Sequence, residues 1–282
     1  MEALMTEFIR VVLLFFIYSF VGWLWETVYC SIKAKHFVYR GFLVGPITPI
    51  YGFGILGVLY FIEPFQSNLV LLYVLSTVLV TILEYLTSFG LEKLFHATWW
   101  DYHDVPLNIN GRVALPVSLF WGVGCVLIVK VIHPHILILE RFLAEHFSFY
   151  LPVLLIGLIM MDLGYTLANL QSFQKAVTDL QKAINEQKAN LQEVFEKTKD
   201  EWEERQKTSG TVFGKGIVSK PEKKAAGDWL QAFKESTKTN DYLPRLNYTQ
   251  RRFLKNFPQL SLKEGKDVNE IRQLVKELRK KK

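Results

Sequence analysis

Five apolar stretches dominate the first 170 residues of the chain, at roughly 8–30, 43–62, 69–90, 113–132 and 148–169. Each is near or above the ~20 residues that a helix needs to cross hydrocarbon. The pattern predicts an all-α fold, a polytopic membrane bundle of about five transmembrane helices. Two stretches carry Pro and Gly near one end, GFLVGPITPIYGFG (41–54) and GRVALPVSLFWGVG (111–124). Soluble helices rarely tolerate this, whereas membrane helices do when neighbours satisfy the freed backbone groups.

Beyond residue 169 the pattern changes. Residues 170–206 are highly charged and read as a cytoplasmic juxtamembrane helix. Phe173, Val177, Leu180, Ile184, Gln187, Leu191 and Val194 repeat at 4–3 spacing, with one polar residue among them. About three heptads of this kind predict a short coiled coil over 171–197 and, as the simplest pairing, a homo-oligomer. A lone solvated helix is the alternative. Residues 207–228, rich in Gly, Lys and Ser, read as a flexible linker. Residues 229–282 read as a basic amphipathic tail. Its YTQRRFLKNF run and its last helix-like stretch, with Val268, Ile271, Leu274, Val275 and Leu278 on one face, suit anionic lipid. Nucleic acid is a weaker partner, because no recognised binding fold carries the charge.

Charge sharpens the division. Residues 1–169 hold 8 Lys/Arg against 11 Asp/Glu, and the remainder holds 25 against 16, which together make the net +6. A soluble domain usually carries about a quarter charged residues, so the first part lacks the polar surface that water requires. Cys30 and Cys125 lie in apolar runs and read as small core residues without a disulfide or zinc framework. The acidic MEALMTE start and the long apolar run after it do not read as a cleavable signal.

Loop charge orients the bundle. The first loop holds Lys33, Lys35 and Arg40, the second (EPFQSN) holds no basic residue, and the third holds Lys93 and Arg112. The tail is strongly basic. The positive-inside rule then places loops one and three and the tail in the cytoplasm and the N-terminus outside, although Lys130 and Arg141 in the fourth loop count the other way. Trp23, Trp25, Trp99 and Trp100 fall at the predicted inner boundary, where aromatic belts form.

Three acids interrupt the spans: Glu26 in GWLWETVYC, Glu84 in VTILEYLTSF and Asp162 in LIMMDLGYTLANL. On this topology all three sit at one depth, near the cytoplasmic side, where Arg112 opens the fourth span. Charges in lipid are costly and normally face the bundle interior or a wet cavity. Helical spacing extends each acid into a stripe. These are Thr77, Thr81, Glu84 and Ser88; Ser19, Gly22, Glu26 and Tyr29; and Asp162, Tyr165 and Asn169. The expectation is a polar cavity lined by these stripes and closed by Arg112. The alternatives are structural pairing with Arg112 and acids that simply reach the headgroups.

The segment LEKLFHATWWDYHDVPLNINGRVALPVSLFWG (91–122) is the densest polar-aromatic stretch. His96, His103 and Asp104, with Asp101, are weak metal-ligand candidates, because their spacing matches no sharp pattern. Pro106, Asn108, Asn110 and Gly111 are turn formers and predict a folded-back loop. Asp101 and Asn108 join the candidate cavity residues. Gly52, Gly54 and Gly57 match G-x-G-x-x-G but lie inside a span without a preceding strand, and so read as helix packing. No P-loop, G-x-S-x-G or H-E-x-x-H pattern occurs, so the chain is not read as an ATPase or as a hydrolase of those types. No internal repeat stands out.

The run 22–54 and the segment LEYLTSFGLEKLFHATWWDYHDVPLNINGRVALPVSLFWGVG (83–124) resemble the bacterial ABC-transporter type IV permease family. Trp100, Asp101, Tyr102, Pro106, Asn108, Gly111, Arg112, Ser118, Trp121 and Gly122 carry its W-D-Y, Pro, Asn, Gly-Arg, Ser, Trp-Gly pattern, and RLNYTQRRFLKNFPQL (245–260) is similar to its basic, aromatic ending. The resemblance covers roughly residues 10–170 well and the tail loosely. It implies a multi-pass protein of the bacterial plasma membrane, acting with a partner ATPase or another membrane subunit. Three readings follow: a permease-like transport subunit without a cofactor, a scaffold or sensor that works through its coiled-coil tail, and a membrane-embedded enzyme with the third loop as its site.

Overall fold

The computed structural model describes residues 2–208, 251–254 and 261–262. The chain is an all-α membrane helix bundle. Among the described residues, four helical runs are long and apolar enough to cross a bilayer: α1 (Glu2–Ala34), α3 (Leu69–Phe95), the run Leu115–Phe147, and the run Tyr150–Asp179.

The second apolar stretch departs from expectation. Its helix covers only Pro49–Phe65, built from α2 (Pro49–Gly57), a π-turn (Val58–Ile62) and a 3₁₀ turn (Glu63–Phe65). Proline lacks an N–H and disfavours helical backbone in the residue before it, so Pro49 makes a natural first residue, with Thr48 extended ahead of it. Residues 41–48 are therefore non-helical. The fourth stretch runs on further than expected. α4 (Leu115–Leu127), a π-turn (Ile128–Ile132) and α5 (His133–Phe147) absorb the predicted loop that holds Arg141. The fifth stretch and the charged segment after it form one helix, α6 (Tyr150–Thr208).

The chain divides into two compact units. In the second, Ser172–Asn247 with Glu264–Lys282, the helix continues to Thr208 with Phe173, Ala176 and Val177 buried. The side chains of Leu180, Ile184, Gln187, Leu191 and Val194 lie outside the described residues, as do the linker beyond Thr208 and most of the basic tail.

The first unit, Met1–Gln171 with Tyr248–Lys263, holds the membrane helices. Its core gathers Leu14 and Tyr18 of α1, Ile55, Val58, Leu59 and Ile62 of the short helix, Leu72 of α3, and Cys125 and Val129 of the fourth run. Glycines set the closest approaches. A Cβ on Gly22 would run into the Tyr51 ring, one on Gly52 into Ser19 and Phe15, and one on Gly122 into Thr77 and Tyr73. The opposite face of α3 shows Val74, Val78, Ile82, Leu86 and Phe89 exposed at 3–4 spacing, as lipid contact requires.

Candidate functional site

After α1 the chain doubles back along it. The Val38 amide donates to the Ser31 hydroxyl at 2.9 Å, that of Arg40 to Thr27 Oγ1 at 3.4 Å, and that of Thr48 to the Ser19 carbonyl at 3.0 Å. Irregular backbone thus runs beside residues 31–19 of an apolar helix. Such backbone persists at membrane depth only when protein satisfies its polar groups, and here it does. Asp162 of α6 accepts the amides of Val44 (2.9 Å) and Gly45 (2.6 Å) as well as the Thr166 hydroxyl (3.0 Å). Tyr39 donates to the Val44 carbonyl at 2.7 Å. Arg252, from the far C-terminal region, donates to the carbonyls of Leu43 and Phe42, the latter at 2.8 Å.

The 251–254 turn packs on the same end of the bundle. Arg252 lies over the Tyr39 ring, and Phe253 meets Trp99 edge to face at 5.8 Å. The pairing of β1 (Ala97–Thr98) with β4 (Ser261–Leu262) continues the contact. Of the YTQRRFLKNF run, for which the sequence suggested a lipid surface, only residues 251–254 are among the described residues. Arg252, Phe253 and Leu254 are buried within the protein, where the forked guanidinium donates to two backbone carbonyls at once.

The third loop folds as its turn formers predict. β2 (Asn108–Ile109) pairs with β3 (Val113–Ala114) across a tight turn, closed by the Arg112 amide on the Ile109 carbonyl at 3.0 Å. Asn110 and Gly111 both have positive φ, the signature of an Asn-Gly hairpin turn. The Tyr102 amide bonds the Gly111 carbonyl at 2.8 Å and ties the preceding segment to the hairpin.

Two of the three span acids lie close to one hydroxyl, that of Tyr102. Glu26 accepts the Tyr51 hydroxyl at 2.8 Å and faces Arg40 at 3.6 Å. Glu84 accepts the Tyr102 hydroxyl at 3.1 Å and has no ion pair among the described residues. Tyr102 feels both acids. Burial, then the charge of Glu84, its hydrogen bond to Glu84 and the charge of Glu26 push its hydroxyl pKa up, and Arg40 pulls the other way. The Tyr51 ring in turn rests edge to face on Trp121 at 5.4 Å.

The other candidates lie elsewhere. Asp162 is committed to the first loop. Arg112 pairs with Glu92 of α3, under the rings of Tyr85 and Phe89, so the cation beside the acids is Arg40 rather than Arg112. Thr81 donates to the Thr77 carbonyl of its own helix at 2.6 Å. Tyr165 is exposed and Asn169 buried, so the third stripe faces two ways. Asn108 is structural: it donates to the Val105 carbonyl at 2.9 Å and accepts the Gly111 amide at 3.1 Å. Asp101 and His103 bond each other on an exposed surface, while His96 caps α3 in a left-handed conformation and Asp104 is exposed. Among the described residues, no group of three or more His, Cys, Asp or Glu is gathered for a metal ion. Sequence reasoning missed Tyr51, Tyr102 and Arg40 as site residues. An aromatic hydroxyl reveals nothing of its reach until the loops are folded.

Together these features define a multi-pass membrane protein with two folded segments inserted at one end of an apolar bundle. Residues 13–167 match the family model described as Putative ABC-transporter type IV, and the chain belongs to that family. No curated protein and no solved structure matches it.

Proposed function

We propose that the chain is a transport subunit whose Glu26–Glu84 pair takes up one cation or proton from the cytoplasmic side. The observation that carries this reading is the local charge balance. Glu26 faces the Arg40 guanidinium at 3.6 Å, whereas Glu84 has only a neutral tyrosine hydroxyl for a partner among the described residues. An uncompensated carboxylate within a membrane helix is costly, and a bound cation or proton relieves that cost. In this reading the end that carries loops 35–48 and 96–114 faces the cytoplasm of a bacterial cell, the N-terminus lies outside, and the acids line a polar cavity. Family membership supports work alongside an ATPase or another membrane subunit, and α6 beyond residue 171 offers the helix for self-pairing.

The test uses protein reconstituted in lipid vesicles, with rubidium or sodium tracer and a trapped pH dye. Flux that Glu84→Gln reduces at least tenfold, with the protein still folded, supports the proposal. Wild-type vesicles that pass none of these ions would overturn it. A sensor reading is second, favoured by the docking of Arg252 on the first loop. It predicts that a signal from the tail, not flux, depends on that contact.

A further inference from the structure

The two helical hairpins, α1 with the short second helix and α3 with the fourth run, match residue by residue. In the first, Gly52 packs on Ser19 and Phe15; in the second, Gly122 packs on Thr77 and Tyr73. Gly122 lies 70 positions after Gly52, and Thr77 and Tyr73 each lie 58 after Ser19 and Phe15. Those two offsets recur throughout. The 58 offset relates the fully buried Leu14 and Leu72, and also Glu26 and Glu84. The 70 offset relates the π-turns Val58–Ile62 and Ile128–Ile132, each followed by one residue and then a proline, Pro64 and Pro134.

It also relates Thr48 to Ser118. Both are more than nine-tenths buried, and neither hydroxyl has a hydrogen-bond partner among the described residues. Each stands three residues before the aromatic ring, Tyr51 or Trp121, that meets its counterpart at 5.4 Å. Contact between equivalent residues is what a two-fold relation produces on its axis. α2 runs antiparallel to both α1 and α3, since Gly52 meets Ser19 while Gly54 and Gly57 approach Leu83 and Leu79. α1 and α3 are therefore parallel, as in repeats related by an axis along the membrane normal.

We infer that the two hairpins are copies of one unit related by an approximate two-fold axis through the Tyr51–Trp121 contact. Glu26 and Glu84 are then the two copies of one acid. With the Thr48 and Ser118 hydroxyls on the same faces, they serve a single cation between them. The second half of this inference rests on the transport reading; the first does not. The difference between the offsets makes the second copy's connecting loop 12 residues longer, which hides the repeat from a search at one fixed period.

An exchange tests the axis. Tyr51→Trp alone removes the hydroxyl that Glu26 accepts. Adding Trp121→Tyr returns a hydroxyl on the other copy, facing Glu84. Thermal midpoints in detergent, read by size-exclusion fluorescence, are expected to fall for Tyr51→Trp and to recover by at least half in the exchange. An exchange no more stable than the single variant overturns the two-fold relation. In vesicles that pass tracer, Glu26→Gln with Glu84→Gln is expected to lose no more flux than the worse single variant. Multiplying losses would overturn the shared site while leaving the duplication standing. Wild-type vesicles without flux would overturn the shared site along with the transport reading, whereas the exchange result judges the axis alone.

Discussion

Asp162 and Arg252, ninety residues apart, hold opposite polarities of one short stretch of backbone. The carboxylate takes the amides of Val44 and Gly45, and the guanidinium gives to the carbonyls of Phe42 and Leu43. Neither the helix before this stretch nor the helix after it can supply those bonds, because the chain between Ala34 and Pro49 is irregular. An unsatisfied backbone group in hydrocarbon costs several kcal/mol, so the two side chains are what allow the loop to lie beside α1.

For Asp162, structural use and ligand use predict different outcomes. Hydrogen bonds to a charged partner contribute about 1.5–3 kcal/mol each. Asp162→Ala is expected to lower the thermal midpoint in detergent strongly. Asp162→Asn, which keeps one acceptor, should fall between that variant and the wild type. An Asp162→Asn protein as stable as wild type, yet without function, would assign the carboxylate to a ligand instead.

Arg252 is testable by hydrogen exchange on the full-length protein. Arg252→Ala removes two donors from the Phe42 and Leu43 carbonyls and exposes the buried edge of the loop. Faster exchange is expected at amides 39–45, with amides in α3 unchanged. Unaltered exchange in the loop would mean that the C-terminal contact does not hold it.

The membrane bundle was legible because burial in lipid writes itself as length. A run of about twenty apolar residues is stable in few surroundings besides hydrocarbon, and the turn at Asn110-Gly111 was equally plain from its residue types. The pairing of the acids was only half legible. Helical spacing placed Glu26 and Glu84 on polar stripes, but it could not foresee that Asp162 bonds the backbone of the first loop or that Arg112, carried on the folded third loop, finds Glu92. Proline shortened the second helix. The expected break after residue 132 was absent because the helix passes through a π-turn, Ile128–Ile132, just before Pro134, the kind of local adjustment that lets a membrane helix carry a proline.

The Arg112–Glu92 pair offers a double-mutant cycle. Both side chains are about five-sixths buried, at 17% and 16% exposure. Removing one partner strands the other charge, at a cost of about 3–5 kcal/mol, while removing both is often close to neutral. Arg112→Met and Glu92→Gln should each lower the thermal midpoint, and the double variant should recover most of the loss. Additive losses would show that the two residues act separately.

The glycine contacts separate a yielding neighbour from a rigid one. At Gly122 an added methyl meets the Thr77 hydroxyl first and the Tyr73 ring next, both side chains. At Gly52 it meets the Ser19 hydroxyl and also the Phe15 carbonyl oxygen at 2.7 Å, which is backbone. Overpacking of this kind costs about 1–3 kcal/mol. Gly122→Ala is therefore expected to destabilise the protein and to be largely rescued by Thr77→Ala, which removes the hydroxyl. Gly52→Ala should destabilise at least as much, and Ser19→Ala should rescue it poorly, because the Phe15 carbonyl cannot move without shifting α1. Thermal midpoints of the four variants in detergent decide the matter. Equal rescue at both sites would mean that the two helices slide apart freely, and that the glycines do not fix their separation.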